Sequence, residues 1–381
     1  MPDTPQTDLL EAEFTKLFAA HDCVAAKSDI LLSADPFLET AGEDLRRRMF
    51  ITSGPAGEEM CLRPEFTIPV CLQHLRSGSD LPRRYGYLGP VFRHRKNASD
   101  EFLQAGVEHL GRTEQPGVED GDIMAIALEA AALPNPDSKL TLKLGDPSLF
   151  QQLLVSLQLP DSLQQRLIRA YGRGLSEKDL NRILLPNAAD TGKLPDELQE
   201  FAGDEAKLTD ALTTMMQSHG LSRSAGRSPQ AIAQRYMQTY GTQDYGLSDK
   251  NRARAKTIIL AFSSLKGAAD SMADVFKKFE SEHNVSFGER LIAYAERLSH
   301  LHDKRSKAVS VDLQFAANFA RPLDYYTGFV FEVFIDDATQ PVAGGGRYDR
   351  LMEILGAPHP VPAVGFSLWL DRLPKWQEAR S

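Results

Sequence analysis

Apolar and polar residues recur along the chain with two different periods, and the switches between them divide it. Leu10, Phe14, Leu17 and Phe18 fall at helical spacing behind Asp8 and Glu11, an acidic start of the capping-box kind, which predicts a first helix from about residue 8. Beyond Met49 the pattern turns extended, with Ser53-Gly54-Pro55 and Gly57 marking a turn between strands. A helix is expected to follow Pro64-Glu65-Phe66-Thr67 as far as Arg76. Residues 85–92 and 102–110 read as strands joined by a polar loop at 94–100. An apolar helix opens at Gly121-Asp122 and stops before Pro134. Leu140, Leu142 and Leu144 alternate with Thr141 and Lys143, the period of a half-buried strand, and Pro147 suits the first position of the next helix.

From there to about residue 305 the pattern is almost wholly helical, with one helix starting at Ser228-Pro229 and others over 256–281 and 289–301. Val309, Val311, Leu313 and Phe315 then restore the two-residue period. Residues 329–335 form a near-continuous apolar strand. Gly344-Gly345-Gly346 reads as a turn, 349–355 as a helix, and 364–373 as the last ordered stretch. Strands and helices, then helices alone, then strands again predict an α+β domain over 1–150 and 305–381, interrupted by a helical insertion at 151–304.

Composition narrows the function classes. At 381 residues the chain exceeds one ordinary core, and 42% hydrophobic with 25% charged residues is the balance of a soluble globular protein. No apolar run is long enough to span a bilayer, and no apolar stretch follows a basic start as in a secretory signal. Cys23, Cys61 and Cys71 form no Cys-x-x-Cys pair, which favours reduced thiols in a cytoplasmic protein over a metal site or a disulfide framework. The net charge of −9 argues against a dedicated nucleic-acid binder, whose affinity rests on counterion release by basic residues.

Four segments place polar groups inside apolar runs, where each needs a partner. They are Leu62-Arg63-Pro64-Glu65-Phe66-Thr67; Gly89-Pro90-Val91-Phe92-Arg93 with 101–108; Ala320-Arg321-Pro322-Leu323-Asp324-Tyr325-Tyr326-Thr327-Gly328; and Gly344-Gly345-Gly346-Arg347-Tyr348-Asp349 with 364–372. On the second, Gln104, Gly106 and Glu108 alternate, so an amide and a carboxylate flank a glycine on one face, a floor open to a small ligand. Taken singly, each has a plain structural explanation: a solvated strand glutamate, a surface arginine at Arg93, core packing for Tyr325-Tyr326.

Together, in content and order, the segments resemble histidyl-tRNA synthetase, a class II aminoacyl-tRNA synthetase, over roughly 8–150 and 305–375. Arg93 stands at the arginine of that family's second signature motif, and Asp371-Arg372 at the third. The resemblance implies a class II core, a mostly antiparallel sheet flanked by helices, and a site for free histidine. Glu65, Thr67 and Gln104 match positions that hold the α-amino group, Glu108 and Tyr326 those that grip the imidazole, and Arg321 the arginine facing the α-carboxylate. Arg93 and Tyr325 complete the set. It implies no metal and no cofactor.

The departures from that pattern fall on the nucleotide and tRNA side. Arg95 stands where the family has a glutamate. The short loop Asn97-Ala98-Ser99-Asp100 lacks the basic residue directed at phosphate, Trp369 replaces a small residue where adenine lies, and Pro322 replaces a glycine after Arg321. The synthetases also continue into an anticodon-binding domain, expected to be absent here. Kept and lost parts together resemble the regulatory subunits of ATP phosphoribosyltransferase. That resemblance implies a chain without catalysis of its own and with a homodimer core. It would assemble with a short catalytic subunit that joins ATP and phosphoribosyl pyrophosphate, would sense histidine for feedback, and would bind no tRNA and no membrane. Two alternatives remain open: a histidine-activating enzyme acting on an acceptor other than tRNA, and an RNA-binding module using Arg223, Arg227, Arg252 and Arg254.

Overall fold

A computed structural model of the protein describes residues 5–40, 42–112, 117–172, 174–184, 194–201, 204–218, 228–240, 245–320 and 325–373. Two compact units are present: Met1–Leu153 with Ser264–Ser381, and Leu154–Ser263. In the first unit the chain runs α1 (Pro5–Ala20), β1 (Val24–Ala25), β2 (Leu31–Ser33), α2 (Asp35–Thr40), α3 (Glu43–Arg46), β3 (Ile51–Ser53), β4 (Glu59–Leu62), α4 (Thr67–Ser77), β5 (Arg83–Phe92), β6 (Glu101–Leu110), α5 (Val118–Ala132) and β7 (Leu140–Gly145). Helix α6 (Pro147–Ser156) leads out of it. The second unit holds α7 (Asp161–Tyr171), α8 (Glu177–Leu184), α9 (Glu205–Ser218), α10 (Pro229–Tyr240) and α11 (Asp249–Ser263). The first unit resumes with β8 (Lys266–Ala268), α12 (Met272–His283), α13 (Glu289–Lys304), β9 (Val311–Ala316), β10 (Val330–Ile335), β11 (Ala343–Arg347), α14 (Leu351–Ile354) and β12 (Ala363–Trp369).

Among the described residues, nine strands form one sheet in the order β1-β5-β6-β12-β11-β10-β7-β9-β8. Only β1–β5 and β7–β9 pair in parallel, so the sheet is mostly antiparallel, as expected of the α+β core. Strands β2, β4 and β3 make a separate three-stranded sheet. Helix α5 is apolar on nearly every side and lies against β6, β10, β11 and β12, with α13 packed on it. A helix buried all round in this way reads as an unbroken apolar run. The other face of β6 and β12 carries the polar residues. The second unit has its own small core of Leu198, Leu208, Leu212, Ala233 and Tyr236.

The structure corrects three expectations. Residues 256–281 are not one helix: α11 ends at Ser263, and β8 interrupts the run to pair antiparallel with β9. The expected insertion limits of 151–304 shrink to the compact unit Leu154–Ser263, because 264–304 packs with the first unit. There Phe276, Phe315 and Tyr294 meet edge to face at centroid distances of 5.4–5.6 Å, joining α12, α13 and β9. Finally, Gly344-Gly345-Gly346 is the middle of β11, not a turn. A side chain on Gly345 would collide with the Gly365 carbonyl oxygen of β12, so glycine here serves close strand packing. No helix among the described residues is long and apolar enough to cross a membrane.

A chain of buried charges ties the helical layer to the sheet. Arg297 of α13 reaches Asp120 of α5 and Asp146 ahead of α6, each at 2.9 Å, and Arg347 at the end of β11 pairs with the same Asp120 and with Asp349. Burial pushes the Asp120 carboxyl toward protonation, but Arg347 and Arg297 together hold it below the usual range. A fully paired buried charge is tolerated, whereas one stripped of its partner is costly. Replacing Arg297 by Met leaves two buried carboxylates short of a cation and is expected to cost roughly 3–5 kcal/mol in urea unfolding. Breaking the exposed Lys207–Asp204 pair, by contrast, should leave the urea midpoint nearly unchanged. Equal effects of the two changes would contradict this role for the network.

Candidate functional site

The polar face of the sheet is laid out by strand register. On β6, Glu108 lies beside Tyr85 of β5 and Gly365 of β12. Gly106 lies beside Tyr87 and Ser367, and Gln104 beside Gly89 and Trp369. Gly344 of β11 continues the row opposite Ser367. Glycine is required at two of these points. A Cβ on Gly106 would meet the Phe366 carbonyl and the Tyr87 hydroxyl, and one on Gly365 would fall on the Glu108 carboxylate. The result is a cleft with about 470 Å³ of atom-free space, its open mouth included.

The wall opposite is the segment leading into α4. Buried Arg63 fixes it: its guanidinium donates to the carbonyls of Pro90 and Ser28, at 2.7 Å in each case, and lies 4.1 Å over the Phe66 ring. Glu65 then caps α4, accepting from the backbone N–H of Thr67 at 2.6 Å and of Ile68 at 2.9 Å. A carboxylate at a helix N-terminus satisfies orphan donors there and meets the positive end of the dipole. The Thr67 hydroxyl donates to Glu108 at 2.7 Å. Tyr325 and Tyr326 close the cleft from the strand-to-strand connection, which is pinned by Thr327 N–H to the Arg347 carbonyl at 2.8 Å.

Seven of the eight residues expected from the sequence therefore line one cleft: Glu65, Thr67, Arg93, Gln104, Glu108, Tyr325 and Tyr326. The eighth, Arg321, lies outside the described residues, as do Pro322, Leu323 and Asp324. Sequence reasoning missed Tyr348, Ser367 and Leu45, which also line it. Tyr348 stood inside a segment already singled out, but its direction was hidden by the mistaken turn. Its hydroxyl donates to one oxygen of Glu108 while Thr67 takes the other.

The electrostatics favour a ligand with both a cationic and an anionic end. Burial pushes the Glu65 carboxyl upward, against the N–H bonds it accepts from Ile68 and Thr67. Burial pushes Glu108 up to about 8, against the hydroxyls of Tyr348 and Thr67. Burial, then nearby Arg48, lowers Arg93 to about 10. Arg93 Nε and Gln104 Oε1 are buried without a hydrogen-bond partner among the described residues, one a donor and one an acceptor. A zwitterion presents an acceptor and a donor of matching kind.

Beyond the cleft, Arg95 donates to Asp371 at 2.7 Å with its guanidinium 3.9 Å over Phe102, and Arg372 stacks 4.4 Å over the Trp369 ring while donating to the Pro341 carbonyl. Two of the arginines of this region are thus engaged with the chain's own groups. The three cysteines are unpaired, and the described residues contain no group of three or more acidic, His or Cys side chains that could hold a metal ion.

The family model described as histidyl-tRNA synthetase matches residues 10–240 and 242–373. The chain is 41% identical over 367 residues to the ATP phosphoribosyltransferase regulatory subunit of Chelativorans sp. (strain BNC1), covering 95% of both chains. It is 41% identical over 380 residues to the protein of that name from Mesorhizobium japonicum, covering 99% of both. Among solved structures, an ATP phosphoribosyltransferase regulatory subunit/histidyl-tRNA synthetase from Bacillus halodurans C superimposes with a TM-score of 0.65 at 17% identity, over 100% of this chain and 81% of that one. Histidyl-tRNA synthetase from Nostoc sp. PCC 7120 does so with 0.59 at 15%, over 98% and 70%. These two likenesses concern the fold.

Glu108 makes stability depend on pH. Its folded-state pKa of about 8 lies above the ordinary carboxylate value, so between the two the folded chain holds a proton that the unfolded chain has lost. Stability therefore falls as pH rises through that window, by up to about 1.4 kcal/mol per pH unit, and the penalty is constant above it. Glu108→Gln has no such proton to lose. Its stability relative to the native chain should climb from pH 5 to 8 and then level off in urea titrations. A flat difference across that range would refute the assignment.

Proposed function

The chain belongs to the regulatory subunits of ATP phosphoribosyltransferase, built on the histidyl-tRNA synthetase fold, and we propose that its cleft binds free histidine as the signal for feedback on histidine biosynthesis. The observation that carries this reading is the convergence of Glu65, Thr67, Gln104, Glu108, Tyr325 and Tyr326 with Arg93 in one cleft. Gln104 Oε1, with Glu65 and Thr67, offers acceptors for the α-ammonium. Arg93 Nε offers a donor for the α-carboxylate, with Arg321 as its expected companion. Glu108 and Tyr326 address the two imidazole nitrogens. A site that hydrogen-bonds both ring nitrogens rejects analogues lacking either, because its own buried groups are then left unpaired.

The partner in this reading is a short catalytic chain, and the core of the assembly is a homodimer of this one in the cytoplasm. The chain supplies no catalysis of its own and takes no tRNA. Arg95 bound to Asp371, and Arg372 stacked on Trp369, support that division, since these cations are engaged internally rather than free for a nucleotide's phosphates, and an indole stands at the cleft wall. Activation of an amino acid needs charge stabilisation at the phosphates, usually a large catalytic contribution.

Co-purification with a short ATP phosphoribosyltransferase should give an active complex that added histidine inhibits. Glu108→Ala and Gln104→Ala are each expected to weaken histidine binding by calorimetry at least about tenfold, the loss of one charge-assisted hydrogen bond. They should also relieve inhibition in proportion. Native affinity in Glu108→Ala would defeat the pocket assignment, and histidine-dependent ATP–pyrophosphate exchange by the chain alone would favour the histidine-activating enzyme instead.

A further inference from the structure

Each oxygen of the Glu108 carboxyl meets one hydroxyl. Tyr348 donates to Oε2, and Thr67 donates to Oε1 at 2.7 Å. Tyr87 is a weaker third donor, 3.4 Å from Oε1, and its hydroxyl also lies 3.1 Å from the Phe366 carbonyl and 2.8 Å from the Ser367 hydroxyl. Glu108 and Tyr348 are each 1% exposed, so water does not substitute for either hydroxyl. A Cβ on Gly365 would fall on Oε2, so the β12 backbone runs close beside that oxygen.

Tyr348 is itself rigidly placed. Its N–H donates to the Ala363 carbonyl at 2.8 Å, and Tyr325 meets its ring edge to face at 5.8 Å. Its neighbours on either side are fixed by the buried charges: Arg347 by Asp120, and Asp349 by Arg347 and the Ala363 N–H. A hydroxyl delivered by a side chain anchored in this way has one target. We propose that Tyr348 is a positioning residue for ligand recognition, aiming the Glu108 carboxyl at the imidazole and setting whether that carboxyl carries a proton when the ligand arrives.

This deepens the histidine reading and rests on it for the identity of the ligand. The physical argument is that a hydroxyl donating to a buried carboxylate favours the charged form, opposing the burial that disfavours it. The other titratable groups facing Glu108 are Glu65 ahead of α4, Cys71 on α4, Tyr87 on β5 and Tyr326, with Arg93 on the wall of the same cleft. Of these, Glu65 opposes ionisation of Glu108 by like charge, and Thr67, Tyr348 and Tyr87 favour it through hydrogen bonds. Which protonation state Glu108 holds decides whether it accepts from a ring N–H or donates to a bare ring nitrogen.

The test is an infrared titration of the protonated-carboxyl stretch in the full chain without added histidine, with Glu108→Gln assigning the band. The native midpoint is expected near pH 8. Tyr348→Phe, which keeps the ring and loses only the hydroxyl, should move it up by about one to two pH units. Tyr87→Phe should move it by less than half as much. The pH profile of histidine affinity should shift with the Tyr348→Phe midpoint. A midpoint unmoved in Tyr348→Phe, or moved equally in Tyr87→Phe, overturns the proposal. A midpoint that moves as expected in a chain that binds no histidine at any pH upholds the role of Tyr348 and overturns the histidine reading instead.

Discussion

A carboxylate with almost no exposed surface inside a β-sheet must be satisfied by the chain itself, and Glu108 sets the terms for everything around it. Its neighbour on β12 has to be glycine, since a Cβ at Gly365 would overlap the carboxylate. Its neighbour toward α4 has to carry a hydroxyl, which fixes Thr67 at the helix start and, through the same turn, Glu65 as the cap. A second hydroxyl arrives from Tyr348, the residue after β11, a strand whose glycines let it pack closely on β12. The glycines, the cap and the tyrosines are parts of one solution to a single burial problem.

The opposite face of the sheet solves a different problem with the same strand end. Arg347 points to Asp120 beneath the sheet, and Tyr348, the next residue, points to Glu108 above it. Adjacent residues at the end of β11 therefore join two buried polar systems, one of paired charges against α5 and α13, the other of hydroxyls against a carboxyl. The pairing differs for a physical reason. Asp120 has two guanidiniums within bonding reach and stays ionised, whereas Glu108 has only neutral donors and holds its proton up to about pH 8. The charged system suits architecture. The neutral one suits a site, because among the described residues hydroxyls alone, and no guanidinium, bond its carboxyl.

Much of this was legible in the sequence because strand period carries direction. Gln104, Gly106 and Glu108 at alternate positions had to share a face, and the pattern of 85–92 and 102–110 placed that face in a sheet. Helix α4 behind Glu65 and helix α5 as an apolar run were equally readable. What escaped depended on tertiary pairing. The three residues of β8 carry no period of their own and exist as a strand because β9 offers an open edge. Three consecutive glycines signal a turn locally, and only the closeness of β10 and β12 makes them a strand. With β11 unrecognised, the parity that sends Arg347 down and Tyr348 up could not be read, and Tyr348 was lost from the site although its segment was not. The end of the helical unit was misplaced for a related reason: helical period marks α13 but does not say that its Arg297 is committed to Asp120.

The cleft and its surroundings differ in how much freedom their charges retain. Inside, Arg93 Nε and Gln104 Oε1 have no hydrogen-bond partner among the described residues, so they can take bonds from a ligand. Just beyond, Arg95 is committed to Asp371, to the Ser99 carbonyl and to the face of Phe102, and Arg372 to Trp369 and the Pro341 carbonyl. An arginine that must release an internal carboxylate before meeting a phosphate starts at a disadvantage equal to that internal bond. In the proposed reading the chain has no transition state to stabilise, and a differential affinity for the ligand in two assemblies is sufficient. Arg95, bound to Asp371, and Trp369, under Arg372, brace the wall of the cleft. That wall meets the cleft at Trp369, whose register partner on β6 is Gln104. The bracing thus supports the same strand on which Glu108 sits, two alternate positions further along.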